Sequence, residues 1–144
     1  IKGENIVICG GGMSGLESAL GLAMNGKKVT VLDMIPVSDF GHGTVRFTIN
    51  MLLKLLNDNG VKLVGDMRIS EFTEKGVKAM DKFNREQFFE ADAVVTAFGL
   101  RANREYYKEF SVLASEFYVV GDAMDLEKSI GKANNSAFNH AMML

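Results

Sequence analysis

Residues 5–17 read NIVICGGGMSGLE, an apolar run that stops at three consecutive glycines before an apolar-periodic segment begins. Residues 5–9 have the continuous apolar, β-branched character of a buried strand. After the glycines, Leu16, Ala19, Leu20 and Ala23 recur at helical spacing, and Asn25–Gly26 supplies a stop. KKVTVLD (27–33) reads as a second strand. Strand, helix and strand within about thirty residues predict a βαβ unit with a right-handed crossover.

Gly10, Gly12 and Gly15 place G-x-G-x-x-G at the turn of that unit. Each glycine has a steric task. The first allows the tight turn, the second lets a pyrophosphate approach the backbone, and the third allows helix and strand to touch. The helix N-terminus adds amide donors and partial positive charge. With 15 glycines in 144 residues the spacing alone says little. Asp33 supplies the missing context, ending the second strand 18 residues past Gly15. A carboxylate there accepts hydrogen bonds from both adenosine ribose hydroxyls and repels a 2′-phosphate. No basic residue follows before Arg46, which reads as a solvated helix residue, so NAD(H) is favoured over NADP(H). Glu17 reads either as a dipole-complementing acid or as a partner of the nicotinamide carboxamide. Met13 reads either as lining the nicotinamide pocket or as filling a gap.

Downstream, MIPVSDFGHG (34–43) is a loop. It precedes a helix with Val45, Ile49, Leu52, Leu53 and Leu56 on its inner face. A third strand follows at 61–65. Residues 67–90 read as an antiparallel meander with turns near Lys75–Gly76 and Asn84. ADAVVTAFG (91–99) and FYVVGD (117–122) read as two further buried strands, and a final helix is expected from about 127 to 144. The fold class is therefore α/β: a Rossmann-like three-layer fold with a central parallel sheet and a three-stranded antiparallel meander as crossover.

Composition narrows the function classes. A net charge of −2 gives no electrostatic case for nucleic acid or an anionic membrane. Apolar runs of about six residues are too short for a membrane span. The single Cys9 cannot form an internal disulfide or a CxxC pair and reads as a buried structural thiol. His42 and His140 stand alone, so no metal site is expected. A reducing cytoplasm fits these features. The chain starts at Ile1 and ends within an apolar pattern, as expected of a piece of a longer polypeptide.

The segments GGGMSGLESAL, KKVTVLDMIP, LLKLLNDNGVKL, EADAVVTAFGLRAN and FYVVGDAMDLEKSIGKANNSAFNHA come in the order found in two-dinucleotide flavoprotein reductases. The chain resembles the C-terminal NAD(P)H-binding region of the 2,4-dienoyl-CoA reductase, enoate reductase and trimethylamine dehydrogenase group. That group lies within the pyridine nucleotide-disulfide reductase-like superfamily. The resemblance implies an NAD(H) site at Gly10, Gly11, Gly12, Met13, Ser14, Gly15, Glu17, Asp33 and Met34. It places Phe98, Gly99 and Leu100 beside the nicotinamide or at a domain junction. It matches Gly121 and Asp122 to the FAD-contacting Gly-Asp motif. Ala102 stands where the family has proline.

The implied domains are 1–116, binding NAD(H), and 117–144, the returning segment of a split FAD domain. FAD would belong to the intact protein, and FMN and an iron–sulfur cluster to an N-terminal barrel absent from this sequence. The expected role is to position NADH for hydride transfer to FAD within an NADH:flavin oxidoreductase of the enoyl or dienoyl reductase kind. No side chain reads as a catalytic acid or base, so the stretch alone should turn over little. The alternative is a non-catalytic ADP-binding module of a trimethylamine dehydrogenase-like flavoprotein. A Rossmann-like methyltransferase is disfavoured by the Gly-Asp tail and the meander.

Overall fold

The structure is a computed structural model that describes residues 1–103, 105–126 and 129–143. Residues Ile1–Gly99 and Leu100–Leu144 form two compact units.

The first unit begins with β1 (Asn5–Cys9), α1 (Met13–Met24) and β2 (Lys28–Leu32). A loop with a single 3₁₀ turn at Val37–Asp39 leads to α2 (Arg46–Asp58) and β3 (Lys62–Val64). Next come β4 (Arg68–Thr73), β5 (Gly76–Met80) and β6 (Glu86–Glu90), and the chain returns as β7 (Ala93–Thr96). The parallel sheet runs β3-β2-β1-β7, and β4-β5-β6 form a separate antiparallel sheet. This is the expected three-layer Rossmann-like arrangement, with the meander as the crossover from β3 to β7.

Side-chain alternation along β1 separates the layers. Ile6 and Ile8 face the helices and pack with Val29, Val31, Leu16, Ala19, Ile49, Leu52 and Leu56. Val7 and Cys9 face the meander and meet Leu32, Val77 and Ala91. Ile8, Cys9, Leu16, Val31, Leu32, Leu56 and Val77 have no exposed surface. Burying each large aliphatic side chain contributes roughly 1.5–3 kcal/mol. Asp92 pins the sheet at its amino end, where its Oδ2 accepts the Glu4 and Asn5 N–H groups at 2.8 Å each.

α2 confirms Ile49, Leu52 and Leu56 as inner residues, with Leu53 partly buried against them. Val45 departs from the expected face. It immediately precedes the helix, and its side chain is exposed.

The second unit contains α3 (Tyr106–Phe110), a 3₁₀ turn at Gly121–Ala123 and α4 (Ile130–Ala141). Residues 117–120 are not the expected strand. They pair with no strand among the described residues, and a lone extended segment leaves its backbone groups to water. The helix expected from about 127 to 144 is seen at Ile130–Ala141, while residues 127, 128 and 144 lie outside the described residues. Within this unit Gly121 N–H donates to Ser136 Oγ at 3.2 Å, and the Tyr118 and His140 rings meet edge-on at 5.9 Å.

Candidate functional site

The strand order identifies where a ligand would bind. The chain moves from β1 outward to β3, then returns on the other side of β1 as β7, so the topological switch point lies between β1 and β7. In open parallel sheets ligands bind there, beyond the carboxyl ends of the strands. Gly10–Gly15 follow β1 at that position, and Ala97–Gly99 follow β7. The turn is built by backbone bonds: Gly10 N–H to Leu32 O and Ala97 N–H to Cys9 O, both 2.8 Å.

The glycines separate into two kinds. Gly10 has φ +127°, and a Cβ there would lie 2.3 Å from Ala97 O. A Cβ on Gly15 would lie 2.0 Å from Gly10 O. Both are glycine because the fold has no room for a side chain. Gly12 has φ −73° and open space within 4 Å of a Cβ, so neither backbone nor packing excludes a larger residue there. What a Cβ would fill is open space of the kind that lets a diphosphate approach a backbone in such turns. No side chain caps α1, and Leu16 N–H to Gly12 O, at 3.0 Å, is a first-turn bond. The N–H groups of Met13, Ser14 and Gly15 therefore have no intrahelical partner and lie at the positive end of the helix. This donor set, with its vacant approach over Gly12, fits a dinucleotide diphosphate.

Asp33 stands beside the turn. Its Oδ2 accepts Gly11 N–H at 2.5 Å and its Oδ1 accepts Ile35 N–H at 3.3 Å. The carboxylate is thus oriented against the glycine loop while remaining partly exposed. Its charge and the surrounding burial together push the Cys9 thiol up to about 11, burial being the larger cause. Cys9 is a fully buried neutral thiol, as its place in the apolar run suggested.

Other anticipated residues are placed less centrally. Met13 is half-buried and packs against the helix-side core, which favours the gap-filling reading. Glu17 is exposed and lies beyond the first turn of α1, which holds no acid, so it does not cap the helix. Met34 is exposed at the start of the loop after β2. Phe98 is exposed and lies 6.5 Å from the Phe72 ring, centroid to centroid. Gly99 ends the first unit with φ +84°. Leu100, Gly121 and Asp122 belong to the second unit. There Gly121 and Asp122 line a cavity of about 320 Å³ with Met124, Lys132, Ser136 and His140.

Phe40 and Gly41 escaped the sequence reading. Phe40 is 2% exposed and lies under Gly11, and Gly41 N–H donates to Gly11 O at 2.8 Å. The available signal was an aromatic residue inside a turn-rich loop, where aromatics seldom occur unless buried. A separate cavity of about 580 Å³ between this loop and α2 is lined by His42, Arg46 and Asn50 but by no residue of the glycine turn. Among the described residues no cluster of His, Cys, Asp and Glu could hold a metal ion, and no helix is long and apolar enough to cross a membrane.

Comparison with known proteins agrees with this fold. A family profile described as pyridine nucleotide-disulphide oxidoreductase matches residues 1–129. A cinnamate reductase from Clostridium sporogenes is 30% identical over 122 residues, which cover 84% of this chain and 18% of that protein. An NADH oxidase from Thermoanaerobacter brockii is 29% identical over 144 residues, 99% of this chain and 22% of that protein. The solved structure of a 2-naphthoyl-CoA reductase with 2-naphthoyl-CoA superposes with a TM-score of 0.78 at 26% identity. It covers 96% of this chain and 21% of that one. The chain therefore spans about a fifth of the length of these relatives.

Proposed function

The chain belongs to the pyridine nucleotide-disulphide oxidoreductase family, and from that premise we propose that its first unit binds NADH for a flavin-dependent oxidoreductase. The observation that carries this reading is the open approach over Gly12 to the amides of Met13, Ser14 and Gly15, with the Asp33 carboxylate braced beside it. The amides would hold the diphosphate, and Asp33 would hold the adenosine ribose and reject a 2′-phosphate. Gly10, Gly11 and Gly15 shape the turn, and Glu17, Met34, Phe98 and Gly99 would be further cofactor contacts. When bound, NADH supplies the hydride and FAD accepts it, while this chain supplies position and orientation.

Gly121 and Asp122 would contribute to FAD in the intact protein, with residues 117–144 acting as the returning segment of the FAD domain and Leu100 at the junction. FMN and an iron–sulfur cluster would belong to a barrel elsewhere in that polypeptide. The relatives named for cinnamate and 2-naphthoyl-CoA support a conjugated enoate or acyl-CoA as the substrate class, in the manner of enoyl and dienoyl reductases. The reaction would take place in the cytoplasm.

Calorimetric titration with NADH, NADPH and ADP tests the reading. NADH is expected to bind at least about tenfold more tightly than NADPH, since the charge-assisted bonds of one carboxylate are worth roughly 1.5–3 kcal/mol. Asp33→Ala is expected to narrow that gap and to weaken NADH. Folded protein that binds neither dinucleotide would sink the idea. Equal affinity for ADP and NADH would favour the non-catalytic ADP module, because the nicotinamide half would then contribute nothing.

A further inference from the structure

We propose that Phe40 is a positioning residue for the nucleotide, acting through Gly11 and making glycine obligatory at that position. The inference rests on the dinucleotide reading of the glycine turn. In G-x-G-x-x-G the second position is open to any residue. Gly11 is not among the glycines with positive φ, so its backbone conformation does not require glycine either. The requirement comes from the next loop.

A Cβ on Gly11 would lie 2.9 Å from Cγ and Cδ1 of Phe40 and 3.0 Å from Cδ2, closer than a methyl group can approach an aromatic ring. Core packing holds the ring on one side, and the cavity between its loop and α2 borders it on another. Phe40 is 2% exposed and belongs to the helix-side core with Leu16 and Ile49. Its backbone is fixed as well, because Gly41 turns the chain at φ +69°, with Ile49 Cδ1 2.1 Å from where its Cβ would lie. Gly11 is thereby held at three points. Its N–H donates to Asp33 Oδ2, its carbonyl accepts from Gly41 N–H, and the Phe40 ring occupies the direction in which a Cβ would project. The residue after it is Gly12, whose open face leads to the diphosphate donors. A methyl group at Gly11 would have to lift the loop off Phe40, moving those donors relative to the ligand. Preorganised donors lose affinity when they must be re-formed on binding.

The test is a double-variant cycle on the full chain, reading NADH affinity by calorimetry and stability by thermal unfolding. Gly11→Ala is expected to weaken NADH by about tenfold or more in the wild-type background, but by less than about threefold in a Phe40→Ala background, where the ring is gone. Phe40→Leu replaces Phe40→Ala should the latter not fold. Equal penalties in the two backgrounds overturn the inference. So does the pattern of a merely structural residue, in which both single variants melt earlier but bind NADH as the wild type does. Wild-type protein that binds no NADH overturns the dinucleotide reading and this inference with it. Wild-type binding with equal penalties removes this inference alone.

Discussion

Ile6, Ile8 and Leu56 in the first unit are 1% exposed or less, whereas Leu113, Ile130 and Phe138 in the second are 75%, 84% and 63% exposed. No residue of Leu100–Leu144 with a described side chain is buried. The two units are not distinguished by apolar content. NIVIC and FYVVGD have nearly the same texture, yet the first is paired with β2 on one side and β7 on the other. The second pairs with no strand among the described residues. A strand is stabilised by neighbours that satisfy its backbone and cover its faces, so equal hydrophobicity gives unequal structure where the neighbours differ.

The largest expected contrast is in local stability. Amides of β1 should exchange with solvent at least about a thousandfold more slowly than those of α4, because core strands open only with global unfolding. Limited proteolysis should likewise cut within Leu100–Leu144 and spare Ile1–Gly99. Comparable protection of both units would break the contrast. A sharper probe is a matched pair of truncations read by chemical denaturation. Leu56→Ala, at a fully buried site, should cost about 3 kcal/mol. Phe138→Ala, at an exposed site, should stay within about 0.5 kcal/mol.

The smallest effects are in pH dependence, and they too should arise from the first unit. The Asn5 and Glu4 N–H groups hold the Asp92 carboxyl below its ordinary value of 3.8. A depressed acid contributes stability above its unfolded value, and that stability is lost as pH falls through the lower folded value. Asp92→Asn should therefore flatten the acid limb of melting temperature against pH. Cys9 is raised from 9.0 to about 11 by burial and by Asp33. Stability tied to its neutral form is intact below 9 and declines as pH rises towards 11. Cys9→Ala should remove that alkaline slope.

The β1-α1-β2 unit was legible because its signals are local: apolar runs, helical spacing and punctuating glycines within a few residues of one another. The steric need for glycine at positions 10 and 15 followed from the same logic, since a Cβ at either would collide with the backbone of Ala97 or Gly10. Glu17 was left between two roles, since only the start of α1 at Met13 shows that it lies past the first turn. The meander was legible as three strands, but the register shift between Ile69 and Glu71 was not, because a bulge depends on the partner strand β5. FYVVGD misled, as its apolar texture carries no information about whether a partner strand exists.

By itself, then, the sequence determined a strand that stops at Gly10, a helix that starts just after Gly12, and an acid at the end of the next strand. These depend on backbone sterics and side-chain periodicity over short stretches. Only the tertiary structure decided that Asp33, Phe40 and Gly41 converge on Gly11. That convergence exists because pairing of β1 with β2 brings their two following loops side by side, a long-range contact that no local pattern records.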